Sequence, residues 1–273
     1  MSALRIRDDR DRELVFLRPP RRIVSLVPSD TYNLKVLGAA VVGRTRFCVD
    51  FLEAAVVGGT KDVDVDAVAR LEPDLVVANQ EENSQKHLEE LARLGLPLLV
   101  AFPRTVIEGL SHLARLAKIL QADARDLLRR GYETAREPPP GPPVRVFAPI
   151  WMDPLMTVNA HTFISDMLRL AGAENVFAGR ERRFPLAAEL GQAIPKPSGT
   201  RDTRYPRVTL EEVIDRRPEV ILLPDEPHPF SETDARTFVP VGAKKIIFFS
   251  GRDLCWPGAQ SIEGLPRLRA LFR

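Results

Sequence analysis

The sequence predicts an α/β protein of two Rossmann-like lobes, each built on a mostly parallel sheet. A long backbone α-helix joins them and leaves a ligand cleft between. Three observations predict this. Short strands alternate with helices along the chain, and the strands are continuous apolar runs, as a parallel sheet covered on both faces requires. One helix–proline–strand unit occurs twice, as DAVARLEPDLVV from Asp66 and EEVIDRRPEVILL from Glu211, with a proline seven residues after each acid, at Pro73 and Pro218. Between the two copies, residues 106–136 repeat apolar side chains at helical spacing, and PPPGPP at 138–143 then stops the helix.

The elements follow in order. Residues 1–21 are charged throughout and form an N-terminal extension. The first lobe, 22–105, opens with a buried strand Ile23–Val27 stopped by Pro28. Ser29 or Asp30 then caps a helix that ends at Gly38. Val41–Arg44 is a short strand, GGT at 58–60 a turn, and the first repeat unit leads into strand Leu75–Ala78. A loop at Gln80–Asn83, a helix His87–Leu94 closed by Gly95, and a strand Leu96–Ala101 complete the lobe. The connecting helix spans 106–137, and a break at Gln121–Asp123 is compatible with its pattern. Thirty residues at 1.5 Å each reach about 45 Å, more than one small lobe needs. The second lobe, 138–273, holds strand Val144–Pro149, a helix Thr162–Ala171 ended by Gly172, and the second repeat unit with strand Val220–Leu223. Strand Lys245–Phe249 and a C-terminal helix follow. Thr209 and Glu212 have the spacing of a capping box. The Arg-, Pro- and Gly-rich stretch 179–204 is a long irregular insertion, of the kind that more often serves function than connection.

Composition narrows the function classes. The 39 basic and 37 acidic residues leave a net charge of +2 and no basic stripe, so nucleic acid is not an expected partner. The Arg180–Arg183 cluster reads as a solvated loop. Two cysteines, Cys48 and Cys255, exclude a disulfide framework and any CxxC pair. No run approaches the roughly 18 apolar residues of a membrane span. The N-terminus lacks the apolar core of a secretory signal, which points to the cytoplasm as the sequence stands, or to an extracytoplasmic place if a leader precedes it. GxSxG, GxxxxGK[ST] and GxGxxG are all missing, and no spacing calls for catalysis.

The segments RRIVSLVPSDTYNLKVLGA, VGGTKDVDVDAVARLEPDLVVA, PLMTVNAHTFISDMLRLAGAENVFA and RYPRVTLEEVIDRRPEVILL resemble the class III substrate-binding proteins of ABC importers, the helical-backbone metal receptors, and among them the cobalamin binders. The likeness runs in register over about 22–270. It implies two α/β lobes, a single joining helix, and non-catalytic binding of a metal-bearing small ligand: a corrinoid, a haem, an iron chelate or a bare metal ion. It also implies that an acid heading one helix of each lobe meets a permease; the matching positions are Asp66 and Glu211. A cytoplasmic cofactor or metal-ion carrier or sensor with the same fold is the alternative. A monomer is expected.

Ligands of open parallel sheets lie beyond the carboxyl ends of the strands. That rule selects the loops holding Arg46 and Phe47, Glu81 and Glu82, Trp151 and Met152, His228, and Trp256. Arg183 and Tyr205 join them from the insertion and its exit. Trp151, Tyr205, Trp256 and Phe47 could build an aromatic wall for a flat macrocycle. Tyr205 matches a cleft aromatic of the cobalamin binder, and the position of its counterpart on the first lobe is Thr60 here. Arg44, Arg46, Arg183 and Arg204 suit acidic ligand groups, since a guanidinium fork matches an oxyanion. His161 and His228 are the metal-ligand candidates, with His87 near Glu81–Glu82, although no HxH, HxxxH or HExxH spacing ties them.

Overall fold

The computed structural model describes residues 3–139 and 141–273, and the chain divides into two compact units. The first comprises the chain to Pro103, Ile107–Tyr132 and Pro257–Gln260; the second comprises Arg104–Val106, Glu133–Trp256 and Ser261–Arg273. Of the proline run at 138–143, Pro140 lies outside the described residues.

The first unit opens with an antiparallel hairpin, β1 (Leu4–Arg7) and β2 (Glu13–Phe16). The N-terminal extension therefore carries regular structure. Its period-2 pattern puts Ile6, Leu14 and Phe16 into the same core cluster as Ile23, Leu34 and Leu75, while Arg5, Arg7 and Glu13 face solvent. Next come β3 (Ile23–Ser25), α1 (Pro28–Val36), β4 (Val41–Arg44), β5 (Ala55–Val56), α2 (Val65–Arg70), β6 (Leu75–Asn79), α3 (Gln85–Arg93) and β7 (Leu98–Ala101). Strands β3 to β7 form one parallel sheet in the order β5-β4-β3-β6-β7. Strands β6 and β7 are buried at every residue, as their unbroken apolar runs require. Helix α1 differs from expectation at its start. Pro28 occupies the first turn with no side-chain cap, and Ser29 and Asp30 lie inside the helix, both buried.

Residues 106–136 are two helices, α4 (Val106–Leu120) and α5 (Arg125–Arg136), in place of one rod. The break falls at Gln121, held at φ 54°, a left-handed conformation that ends helical hydrogen bonding. Leu116 and Ile119 of α4 pack into the core cluster of the first unit, so the helical spacing of this segment reports burial against a sheet.

The second unit holds β8 (Val144–Phe147), β9 (Pro149–Met152), β10 (Leu155–Thr157), α6 (Phe163–Ala171), β11 (Ala173–Asn175), α7 (Leu186–Glu189), α8 (Leu210–Arg216), β12 (Val220–Pro224), α9 (Glu232–Thr237), a 3₁₀ turn (Val239–Val241), β13 (Lys245–Phe249), α10 (Gly251–Cys255) and α11 (Ala259–Ala270). Its main sheet is parallel with order β11-β8-β12-β13, and β9–β10 form a separate antiparallel hairpin. The expected strand 144–149 is thus two strands. Phe147, Phe177 and Phe238 are fully buried and meet at ring separations of 5.3 and 5.8 Å. Helix α6 is capped by Thr162 and ends at Gly172 with φ 93°, a conformation natural to glycine.

The capping box expected at 209–212 is half present. Thr209 accepts from the Glu212 N–H at 3.2 Å, but the Glu212 carboxylate accepts from Arg180 at 2.9 Å. Arg180 is correspondingly buried at 4% exposure, contrary to the solvated loop expected of its cluster. It also pairs at 3.1 Å with Glu189, whose other contacts are the backbone N–H groups of Arg183 and Arg207, at 2.7 and 2.9 Å. One buried carboxylate therefore fixes both ends of the irregular insertion.

Candidate functional site

In the first unit the carboxyl ends of the strands carry loops held by side-chain amides. Asn83 donates to Leu26 O and Thr60 O at 3.1 and 3.0 Å, and its Oδ1 accepts from Asn79 N at 2.9 Å. Asn79 Oδ1 in turn accepts from the N–H groups of Glu81 and Glu82. These bonds tie the loop after β6 to those after β3 and before α2, with Glu81 half-buried and Glu82 exposed. The turn at Gly58 has φ +90°, and a Cβ there would lie 2.4 Å from Asp62 O, so only glycine fits.

The loop after β4 offers the most open apolar surface of that edge. Phe47 is 54% exposed. Arg46 lies over its ring at 4.9 Å and shares Asp62 through two contacts of 2.9 Å. Arg44, considered for an anion, is instead structural: it is buried, and its guanidinium donates to the carbonyls of Thr45, Cys48, Phe51 and Leu52. Cys48 is buried between Thr31 and Thr45, and neither cysteine is in a disulfide.

In the second unit the expected residues divide sharply. Trp151, at the end of β9, is 44% exposed, with its indole N–H donating to Asp153 O at 3.0 Å. Its ring meets His228 edge-on at 5.5 Å, and His228 meets Phe230 at 4.6 Å. Met152 is partly buried against the core cluster of the unit. Trp256 is not an open wall: it is 6% exposed, and its indole N–H donates to Glu226 at 2.9 Å. The loop 225–228 is held there by a second contact, Asp225 accepting from Gly251 N. A Cβ on Gly251 would come within 2.5 Å of Glu226, so glycine is required for this close approach.

Tyr205 is half-buried, with Arg204 at 5.1 Å over its ring and Arg204 paired to Asp202 at 2.7 Å. Burial acts to raise the Asp202 carboxyl, but hydrogen bonds from Arg204 and the charges of Arg204 and Arg182 outweigh it and hold the group below the usual range. The Arg204 charge is thereby largely neutralised. Arg183 is exposed.

The histidines do not assemble a metal site. His228 Nε2 lies 3.6 Å from Asp234 in the first turn of α9, and His161 is exposed with its backbone N–H donating to Asn159. Hydrogen bonds from Ser231, and then the nearby His228, hold the Asp234 carboxyl below its ordinary range. Among the described residues no group of three His, Cys, Asp or Glu side chains could hold a metal ion.

Asp66 and Glu211 both occupy the first turn of a short helix and both are exposed. The cap in the first case is Asp64, which accepts from Ala67 N at 2.8 Å, leaving the Asp66 carboxylate outside the capping bond. Glu211 accepts from its own backbone N–H and then from Thr209, which together lower its carboxyl from the ordinary value. Two features essential to the loops were missed from sequence: the amide pair Asn79–Asn83 and the buried Glu189. The only cue to either was its position, a polar residue at a strand end or inside a basic insertion.

These loops present aromatic surface at Phe47 and Trp151. No protein-family model matches the chain. The chain is 30% identical over 214 residues to the vitamin B12-binding protein of Yersinia pestis (strain Pestoides F), covering 74% of this chain and 69% of that one. Among solved structures, the periplasmic vitamin B12 binding protein of Vibrio cholerae superposes with a TM-score of 0.71 at 19% identity, over 92% of this chain and 96% of that one. The periplasmic heme binding protein of Vibrio cholerae gives 0.68 at 20% identity, over 92% and 98%. The chain belongs to the vitamin B12-binding proteins, a family of class III substrate-binding proteins.

Proposed function

We propose that the protein captures a corrinoid of the vitamin B12 class and passes it on unchanged. The observation that carries this reading is the 30% identity with a vitamin B12-binding protein, spread over 74% of the chain. The strand-end loops are compatible with it. Trp151 presents a ring face braced by His228 and Phe230, and Phe47 presents another on the first unit. Each ring stacked on a planar ligand contributes roughly 0.5–1.5 kcal/mol beyond burial. Amide-bearing corrinoid edges need hydrogen-bonding groups more than a counter-charge, which agrees with arginines already committed to Asp62 and Asp202. Thr60 stands where a second stacking ring would be, so affinity rests more heavily on Trp151 and Tyr205 than in a two-ring site.

The ligand is delivered to an ABC permease, with Asp66 and Glu211 as the docking acids and the protein acting outside the cytoplasm. Exposed ion pairs of this kind set register and on-rate more than affinity. Calorimetric titration with cobalamin and cobinamide tests the ligand: saturable one-to-one binding supports the reading, and absence of binding to both ends it. Fractionation of the host tests the location, with recovery from the cytosol alone as the contrary result.

A further inference from the structure

The insertion at 179–204 holds six basic and three acidic residues, a surplus larger than the +2 of the whole chain. Two of its ion pairs are closed. Arg180 is buried against Glu189, and Arg204 is paired to Asp202. Within the insertion this leaves Arg182, Arg183, Lys196 and Arg201 against the single acid Glu181.

Phe184 gathers these cations. The Arg201 guanidinium lies over its ring at 4.1 Å and that of Arg182 at 5.4 Å. Lys196 is brought alongside by its backbone N–H, which donates to Phe184 O at 2.8 Å. Arg201 also donates to Ser198 O and Pro197 O, which fixes its guanidinium in place. Among the described residues neither Arg182 nor Arg201 has an ion-pair partner. A ring face offsets part of the repulsion between two cations, by about 0.5–1 kcal/mol each at an exposed site, and leaves their outer N–H groups open to an anion.

This cluster adjoins the tyrosine assigned to the ligand. Arg182 N donates to Thr203 O at 2.8 Å, and the Arg182 charge reaches Asp202. Asp202 holds Arg204, which lies over the Tyr205 ring. Glu189 ties the backbone at Arg183 and Arg207, so the arrangement is set before any ligand arrives. We infer that Arg182 and Arg201 bind a phosphodiester, and that the insertion selects corrinoids carrying a nucleotide loop over those that lack it. The inference rests on the corrinoid reading above. The edge of the corrin ring bears neutral amides, to which surplus positive charge is indifferent. The complete ligand adds one anionic phosphate in its nucleotide loop, and cobinamide has none. A guanidinium fork matches two phosphate oxygens at once.

The test is calorimetric titration of the full chain with cyanocobalamin and with dicyanocobinamide, both neutral overall, so that only the nucleotide loop separates them. Cyanocobalamin is expected to bind about fivefold more tightly or better. The double substitution Arg182→Gln, Arg201→Gln is expected to abolish that preference by weakening cyanocobalamin alone. Neither side chain is buried, so the variant is expected to fold. The unmodified chain gives a second reading: about 1 M salt screens charges beyond about 3 Å and is expected to shrink the preference. Equal affinity for the two corrinoids, a preference that survives the substitutions or the salt, or a variant that loses both ligands alike overturns the inference. Failure of the unmodified chain to bind either corrinoid ends the corrinoid reading itself, and this inference with it.

Discussion

Trp151 and Trp256 look alike in sequence, each in a short polar loop with a nearby proline, yet only Trp151 offers a face to solvent. The difference is made by Glu226, thirty residues before Trp256, whose carboxylate accepts the indole N–H. A contact of that range leaves no local trace, which is why the sequence pointed equally to both. Trp151→Ala is expected to weaken corrinoid binding by about 1 kcal/mol, or about fivefold, in a calorimetric titration. Unchanged affinity would remove this ring from the site. Glu189 makes the opposite lesson: an acid in a basic insertion reads as a surface charge, but it is 5% exposed and holds Arg180. Glu189→Ala leaves that guanidinium with Glu212 as its remaining carboxylate partner beside the carbonyls of Glu181 and Arg207, and a loss of about 3 kcal/mol of stability is expected from denaturant unfolding.

At the scale of elements, the legible parts were those whose signal is periodic or stereochemical. The apolar runs gave β3, β6, β7 and β12, and Thr162 with Gly172 gave both ends of α6. The N-terminal hairpin was not legible, because its alternating pattern is short and sits among arginines. What holds it is Asp9, whose carboxylate accepts from Arg115 at 2.7 Å and from Phe102 N at 2.7 Å. Burial acts to raise this carboxyl, but the Arg115 hydrogen bond, the Phe102 N–H and the Arg115 charge lower it below 3.8 overall. Because the folded value lies below the unfolded one, the unfolded chain binds more protons in between. The contribution is therefore full above the ordinary carboxylate range and is lost as pH falls through the lowered folded value. Asp9→Asn is expected to cost about 1 kcal/mol at pH 7, with the gap from the unmodified chain closing on acidification below pH 3.8. A gap that stays constant with pH would show that the carboxylate charge has no part in holding the hairpin. The helical segment 106–136 was legible as helix, and the interruption of its pattern at Gln121–Asp123 marked the place where it divides into two, with Gln121 at φ 54°.

For the whole molecule, the repeated unit was the most informative feature of the sequence. Both copies fold as expected, and both present an acid in the first turn of an exposed helix end, Asp66 and Glu211. Substituting both with alanine is expected to leave ligand affinity unchanged while lowering ligand uptake through the reconstituted transporter several-fold. Loss of ligand affinity would place them in the site instead. The ligand itself was not legible, because a fold does not choose its cargo and the same architecture serves a heme binder at nearly the same structural similarity. The most direct measurement is thermal unfolding of the full chain with cobalamin, cobinamide, haem and a ferric siderophore in turn, followed by mass analysis of the recovered ligand. Binding to the native state alone raises the melting temperature, by about 2.7 kcal/mol of stabilisation at a hundredfold excess over Kd. The expected result is a rise with the corrinoids, larger than with haem or siderophore, and a corrinoid of unaltered mass. A melting temperature indifferent to both corrinoids, or a chemically changed ligand, would contradict the account.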